Sequence, residues 1–85
     1  MAKPRTKESR GGRPGRAARS RLAANLRRLR EVQELSQEVL AEMAGFHRTF
    51  VSQVEREMNN ISIDNIERLA EALGVDILEL LAKPK

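Results

Sequence analysis

The chain contains no cysteine, tryptophan or tyrosine, and two phenylalanines are the only aromatic side chains among its 85 residues. Disulfide bonds, thiolate metal sites and thiol chemistry are therefore excluded. The one histidine, His47, has no second imidazole or thiol with which to share a metal site or a nucleophilic site. The composition therefore predicts an aliphatic core and no cofactor, and it argues against an enzyme.

Long apolar runs are also missing. No segment is long enough to cross a bilayer, and the basic N-terminal residues lack the apolar stretch of a secretory signal. An arginine-rich transit peptide is an alternative for this segment, but its proline and glycine residues disfavour the amphipathic helix that such a peptide forms. We therefore expect a cytoplasmic protein without a membrane partner.

Positive charge is concentrated at the N-terminus. Of the net charge of +4, residues 1–20 carry +6, from seven cations and one anion. The remaining residues hold nine cations and eleven anions, which gives −2. Affinity for a polyanion must therefore come from the N-terminal segment or from local patterning, because the rest of the chain is mildly acidic.

Residues 1–19 contain no leucine, isoleucine, valine or phenylalanine. Together with their proline, glycine and like charges, this predicts a basic arm that is disordered when free. A periodic apolar pattern begins at residue 20. The sequence thus predicts one domain over residues 20–83, preceded by a flexible arm over residues 1–19.

The helical periodicity of this domain predicts an all-α fold of five helices. The first begins at about Ser20, and the second follows an N-cap at Ser36 and ends at Gly45. A turn near residues 45–46 leads to a third helix over about residues 47–56. The first helix has an apolar stripe, the third has two inward valines, and the second carries three apolar residues. These are Leu22, Leu26, Leu29 and Val32, then Val51 and Val54, and Val39, Leu40 and Met43.

Two further helices follow a loop. Ser62 is placed to cap the fourth, and Gly74 closes it. Asp76 and Glu79 have capping-box spacing at the start of the fifth. The inward positions of the fourth helix are Ile63, Ile66, Leu69, Ala70 and Leu73. The fifth has more apolar residues than one inward stripe needs, which favours an interface there over a merely buried closing helix.

The stretch GFHRTFVSQVER, residues 45–56, has an unusual polar side. A helical rotation of about 100° per residue places this side opposite the two inward valines. An ordinary solvated face is usually lysine and glutamate, whereas arginine can donate two hydrogen bonds to guanine and glutamine can pair with adenine. The pattern therefore favours a helix that reads base edges. Its polar positions are Arg48, Thr49, Ser52, Gln53 and Arg56.

The sequence NLRRLREVQELSQEVLAEMAGFHRTFVSQVER resembles the helix-turn-helix domain of phage Cro and repressor proteins, the XRE type. The likeness continues through NNISIDNIERLAEALGV and covers about residues 22–80. The short connection AGFH has the spacing of a helix-turn-helix. The resemblance implies a compact lambda-repressor-like domain, similar to restriction-modification controllers, phage-type repressors and antitoxin-like regulators.

By position, the resemblance implies base contacts from Arg48, Thr49, Ser52 and Gln53. It also implies a phosphate contact from Gln37, at a helix start whose free amides favour an anion. Arg30 and Glu55 correspond to an ion pair that braces the first helix against the third; the alternative is two unrelated surface charges.

Other candidates for contacts with the DNA backbone lie around the third helix. They are His47, Arg56, Asn59 and Asn60. The two asparagines could equally serve only as turn formers.

Two departures from the family pattern stand out. Glu57 replaces a glycine that ends the third helix in many relatives, and Val39 replaces a glutamate that completes the capping box of Ser36.

The arm contains RGGRPGR, which resembles an AT-hook core imperfectly, because two glycines separate Arg10 from Arg13 and Pro14. We expect Arg10, Arg13 and Arg16 to contact phosphates or the minor groove without true A·T readout. The alternative is a tail that only improves solubility. If the arm does contact DNA, it adds affinity, while the third helix supplies the choice of sequence.

The leading hypothesis is a sequence-specific regulator of transcription that binds double-stranded DNA as a homodimer. The predicted dimer contacts are Ile77, Leu78 and Leu81. RNA polymerase is a further candidate partner, and no small-molecule ligand is expected, because no sensor domain is evident. The alternatives are a protein-interaction adaptor with the same fold and a binder of RNA or of any nucleic acid through the arm.

Overall fold

Five helices joined by short connections make up residues 16–84, the part of the chain that the computed structural model describes. In chain order they are α1 (Arg16–Val32), α2 (Gln37–Ala44), α3 (Arg48–Glu55), α4 (Ile63–Leu73) and α5 (Ile77–Leu81). The predicted all-α fold class is confirmed. The first 15 residues, which hold most of the predicted arm, and Lys85 lie outside the described residues.

The core is built from aliphatic side chains, as the scarcity of aromatic residues predicts. Each helix contributes one fully buried member, and these are Leu26, Leu40, Val51, Leu69 and Leu80. Burying a side chain of this size contributes roughly 1.5–3 kcal/mol relative to leaving it exposed. α3 packs on α2 and α1, while α4 packs on α2 and α5. The inner side of α3 is therefore fixed by two neighbouring helices.

The helix ends follow local chemistry that the sequence displays. The hydroxyls of Ser36 and Ser62 accept backbone N–H bonds three residues on, at 3.0 and 3.1 Å. The carboxylate of Asp76 caps α5 by accepting from the N–H of Leu78 at 2.8 Å. The N–H of Glu79 donates to the carbonyl oxygen of Asp76 instead, so α5 does not begin with the predicted side-chain pairing to Glu79.

Two predicted helix boundaries differ from the structure. α1 begins at Arg16, four residues before Ser20. Residues 16–19 read Arg-Ala-Ala-Arg, which are strong helix formers, so they extend the helix without any apolar stripe. α3 spans Arg48–Glu55, because His47 and Arg56 serve as its N-cap and C-cap rather than as helical residues.

Two side chains predicted to lie on inward stripes, Val32 and Ile63, are exposed instead. Val39 and Met43 of the second helix are exposed as well. Val32 and Ile63 are the last residue of α1 and the first of α4, and within residues 16–84 no other helix covers them. In α2 the buried stripe consists of Leu40, Ala41 and Ala44, which leaves the neighbouring face to solvent. None of the helices in residues 16–84 is long and apolar enough to cross a membrane.

Candidate nucleic-acid interface

The two sides of α3 differ sharply in burial. Val51 and Val54 are buried against the core. The polar side chains lie on the other surfaces of the helix: Arg48 and Thr49 are exposed, and Ser52 and Gln53 are half-buried. The four residues predicted to contact bases thus belong to one short helix whose inner side is anchored.

His47 begins α3. Its Nδ1 accepts a hydrogen bond from the N–H of Thr49 at 3.3 Å, which is the contact of an N-cap. An accepting Nδ1 requires that the proton of the neutral imidazole lie on Nε2. The exposed ring can therefore cap the helix and still offer an Nε2–H donor at the helix N-terminus. The predicted phosphate contact by His47 is chemically compatible with this capping role.

The carboxylate of Glu55 is buried, with a side chain only 3% exposed. Nε of Arg30 donates to Oε2 at 2.7 Å, and a second guanidinium nitrogen donates to Oε1 at 3.1 Å. This is a bidentate pair, the stronger form of an arginine–carboxylate contact. The hydrogen bond to Glu55 raises the pKa of the Arg30 guanidinium, although burial opposes the shift. The ion pair that the resemblance implied is present, and it joins α1 to the end of α3.

Gln37 takes part in the same cluster. Its Nε2 donates to Oε1 of Glu55 at 3.0 Å, which joins the first residue of α2 to α3. An amide nitrogen carries two hydrogens, so one remains for another acceptor. Gln37 also lines a cleft of about 450 Å³ together with Arg30, Glu38 and Arg48. The phosphate contact of Gln37 stays a prediction, and the cleft places Gln37 beside Arg48 at the start of α3.

The end of α3 forms without glycine. Glu57 adopts a left-handed φ of 61°. Its N–H donates to the backbone carbonyl oxygen of Val54 at 3.1 Å, and the N–H of Met58 donates to that of Gln53 at 2.9 Å. These are the two hydrogen bonds of a Schellman ending. The departure at Glu57 therefore does not lengthen the helix.

The loop after α3 lies beside the start of α1. Asn60 and Arg19 line the same groove, which has a volume of about 420 Å³. Asn60 is exposed and Asn59 is half-buried. Of the predicted arm contacts, Arg10 and Arg13 lie outside the described residues, and Arg16 is the first residue of α1.

Several polar contacts that hold the helices together were missed by sequence reasoning. Asn25, only 1% exposed, donates to the carbonyl oxygens of Leu80 and Ala82 at 3.0 and 2.8 Å. Arg27 donates to the carbonyl oxygen of Glu55 at 2.6 Å. The only signal in the sequence was an asparagine on the leucine stripe of α1. A side chain of that kind in a core requires a buried partner.

A second missed cluster lies at the turn between α2 and α3. One guanidinium nitrogen of Arg68, on α4, donates to the carbonyl oxygens of Ala44 and Gly45, each at 3.0 Å. The centre of the same guanidinium lies 4.2 Å from the centroid of the Phe46 ring. Phe46 in turn stacks on Phe50 of α3, with a centroid distance of 4.4 Å. A residue of α4 thus contacts the turn that leads into α3.

The predicted dimer residues have different exposures. Leu78 is 69% exposed, whereas Ile77 and Leu81 are half-buried. α5 packs on α1 and α4, and its buried member is Leu80. α5 therefore has an apolar residue that the described helices leave uncovered.

Comparison with known proteins agrees with this geometry. The model of the helix-turn-helix family HTH_3 matches residues 26–80. Control protein C.SmaI of Serratia marcescens is 42% identical over 62 residues, which are 73% of this chain and 74% of that protein. A hypothetical transcription factor of Neisseria meningitidis is 48% identical over 67 residues, which are 79% of this chain and 63% of that protein.

Solved structures show the same relationship. The crystal structure of the hypothetical transcription factor NHTF from Neisseria superposes with a TM-score of 0.77 at 48% identity, covering 79% of this chain and 77% of that one. The restriction-modification controller protein C.AhdI of Aeromonas hydrophila gives a TM-score of 0.72 at 42% identity, covering 75% of this chain and 97% of that one. The chain therefore belongs to the HTH_3 helix-turn-helix family and is a DNA-binding regulator of the kind that this family comprises.

Proposed function

We propose that the protein binds a two-fold-related operator as a homodimer and inserts α3 of each copy into the major groove. The observation that carries this proposal is the arrangement of Arg48, Thr49, Ser52 and Gln53 on a helix whose opposite side is buried in the core. Arginine and glutamine can each give bidentate contacts to a purine, and threonine offers a methyl group to thymine. These four residues are the proposed base contacts.

Phosphate contacts would surround this helix. Gln37 and His47 lie at the N-termini of α2 and α3, where free N–H groups favour an anion. Arg56, Asn59 and Asn60 follow the other end of α3. Because Asn60 and the start of α1 share a groove, an arm attached to α1 would leave the domain near the same DNA strand. The arm would add affinity through its charge, independent of sequence.

A dimer is required because one helix-turn-helix makes few base contacts. Two copies related by a two-fold axis would place their α3 helices about 34–36 Å apart, one turn of B-DNA. The exposed side chain of Leu78, flanked on α5 by Ile77 and Leu81, supports an interface through α4 and α5. The exposed Ile63 at the start of α4 adds apolar surface to these helices.

The relatives favour a controller of a restriction-modification system. C.AhdI is named a restriction-modification controller protein and C.SmaI a control protein, and the similarity to each covers about three quarters of this chain. Such a regulator would act in the cytoplasm without catalysis. It would repress by occupying a promoter or activate by contacting RNA polymerase. A methyltransferase gene and a nuclease gene beside its own gene would distinguish this role from that of a phage-type repressor or an antitoxin-like regulator.

The test is selection of binding sites from random duplex DNA by the full-length protein, followed by affinity measurements with Arg48→Ala. We expect a two-fold-related site, and we expect the variant to bind it about 1–3 kcal/mol more weakly. Arg28→Ala is the matched control, because Arg28 is an exposed arginine on α1. Its effect should be small and should be the same for all duplexes.

Other outcomes would support the alternatives. If no site is enriched, and weak salt-sensitive binding disappears when residues 1–15 are removed, then the arm alone binds nucleic acid. Removing only these residues leaves α1 intact, since α1 begins at Arg16. If no nucleic acid binds at all, the protein-interaction adaptor becomes the better account.

A further inference from the structure

The turn between α2 and α3 has an unusually close neighbour. Gly45 ends α2 with a left-handed φ of 79°, and a Cβ at this position would lie only 2.7 Å from Nη2 of Arg68. Glycine suits this left-handed backbone conformation, and a side chain here would also have to displace the tip of the Arg68 side chain. This close approach allows the guanidinium to reach the carbonyl oxygens of Ala44 and Gly45.

These carbonyl groups belong to the C-terminal end of α2. Carbonyl groups at a helix C-terminus lack partners within the helix and carry partial negative charge. Arg68 supplies both a donor and a positive charge at this end. The guanidinium is therefore held by hydrogen bonds on one side and by the ring of Phe46 on the other.

The stack continues into the base-reading helix. The rings of Phe46 and Phe50 are 4.4 Å apart and inclined by 29°, which is a stacked arrangement. Phe50 lies in α3 between Thr49 and Val51, so the orientation of its ring is tied to that of the helix. The series Arg68, Phe46, Phe50 thus connects α4 to α3 across the turn.

We infer that Arg68 is a positioning residue for base recognition: its guanidinium, fixed on the turn carbonyls and stacked on Phe46, sets the orientation of α3 through Phe50. The inference rests on the proposed function of α3. It assigns Arg68 no contact with DNA. Because Arg68 lies on α4, which is part of the proposed dimer interface, α4 would help to set the angle at which α3 leaves the turn.

A positioning role and a phosphate contact have different signatures. A side chain that neutralises a phosphate changes the slope of log affinity against log salt by about 0.9, and it acts on every duplex alike. A side chain that orients α3 acts on the selected site only and leaves the slope unchanged. A role confined to stability would lower the folded fraction, which scales binding to all duplexes equally.

The experiment compares wild type with Arg68→Lys on the selected site and on a scrambled duplex. Lysine keeps the charge but lacks the planar group that stacks on an aromatic ring. We expect the preference for the selected site to fall about tenfold, within the range that base contacts supply, with an unchanged salt slope. Arg28→Lys, the same exchange on α1, should leave the preference unchanged. Circular dichroism would verify that each variant is folded at the temperature of the binding measurement.

A second variant tests the route through the ring. Phe46→Leu keeps an apolar side chain but removes the stacking surface, so it should lower the preference as Arg68→Lys does. The double variant should lose no more than either single variant, because both break the same series of contacts. Additive losses would overturn the inference.

Two other results have separate meanings. If wild type prefers the selected site and Arg68→Lys does so equally, the inference fails and the proposed function stands. If wild type shows no preference for any duplex, the proposed function fails, and the inference falls with it.

Discussion

Arg30 and Glu55 form a bidentate ion pair in which the carboxylate is almost entirely buried, with the shorter N–O distance at 2.7 Å. Gln37 donates to the same carboxylate. One buried charge thus joins α1, α2 and α3, and it does so at the C-terminal residue of α3. The pair fixes α3 on the domain from the end opposite the turn.

The first prediction concerns this ion pair. Glu55→Ala leaves the half-buried Arg30 without its carboxylate, so the free energy of unfolding should fall by about 3–5 kcal/mol. Urea denaturation followed by circular dichroism would measure it. Glu71→Ala is the control, because Glu71 is an exposed glutamate on α4, and its effect should stay within about 0.5 kcal/mol. Equal effects of the two substitutions would show that the pair contributes nothing specific.

The second prediction concerns the left-handed end of α3. Glu57 holds a φ of 61°, which costs a residue with a Cβ roughly 1–2 kcal/mol. Glu57→Gly should therefore stabilise the domain, by about 1 kcal/mol or less once the greater freedom of glycine in the unfolded chain is included. Thermal unfolding would measure the gain.

The control for this substitution is Glu67→Gly, in the middle of α4 and exposed. Glycine inside a helix lowers stability by about 1 kcal/mol, so the two variants should shift the melting temperature in opposite directions. A destabilising Glu57→Gly would mean that the side chain of Glu57 makes a contribution larger than its backbone strain.

The third prediction concerns the buried amide of Asn25. Asn25→Ala removes the donors to the carbonyl oxygens of Leu80 and Ala82. Leaving the buried carbonyl group of Leu80 without a partner costs about 1–3 kcal/mol, so the free energy of unfolding should fall by about that amount. Hydrogen exchange should also become faster in α5, whose end these bonds attach to α1. Unchanged exchange in α5 would contradict the assigned role.

The fourth prediction concerns the proposed dimer. Leu78→Glu should convert the protein from dimer to monomer in sedimentation velocity, because it places a charge in an apolar interface. The fold of the monomer should be unaffected, since Leu78 is 69% exposed. Val32→Glu is a matched control at a position that is 72% exposed on α1. A dimer that survives Leu78→Glu would place the interface elsewhere.

The parts of the fold that could be predicted from the sequence depend on neighbours along the chain. Serine hydroxyls at Ser36 and Ser62 cap the helices that follow them, and Gly45 and Gly74 end helices in the left-handed conformation. These signals act within three or four residues, so they appear in the sequence directly. The polar side of α3 was also predictable, because helical periodicity is set by residues three and four positions apart.

The parts that could not be predicted depend on contacts between distant residues. Asn25 and Leu80 meet only after α1 and α5 have packed. Arg68 contacts the turn between α2 and α3 only after α4 has packed beside it. Periodicity also failed at helix ends. Val32 and Ile63 continue an apolar stripe, but each lies where none of the other described helices covers the surface.

The most direct test of base reading by α3 is methylation interference on the selected duplex, with wild type and Arg48→Ala. Methylation of guanine N7 blocks the major-groove acceptor that an arginine contacts. For wild type, the account predicts two symmetric sets of interfering guanines about 10–10.5 base pairs apart. The guanines that Arg48 contacts should stop interfering in the variant. Interference that is absent in wild type, or identical in the variant, would contradict the assignment of α3 as the helix that reads DNA.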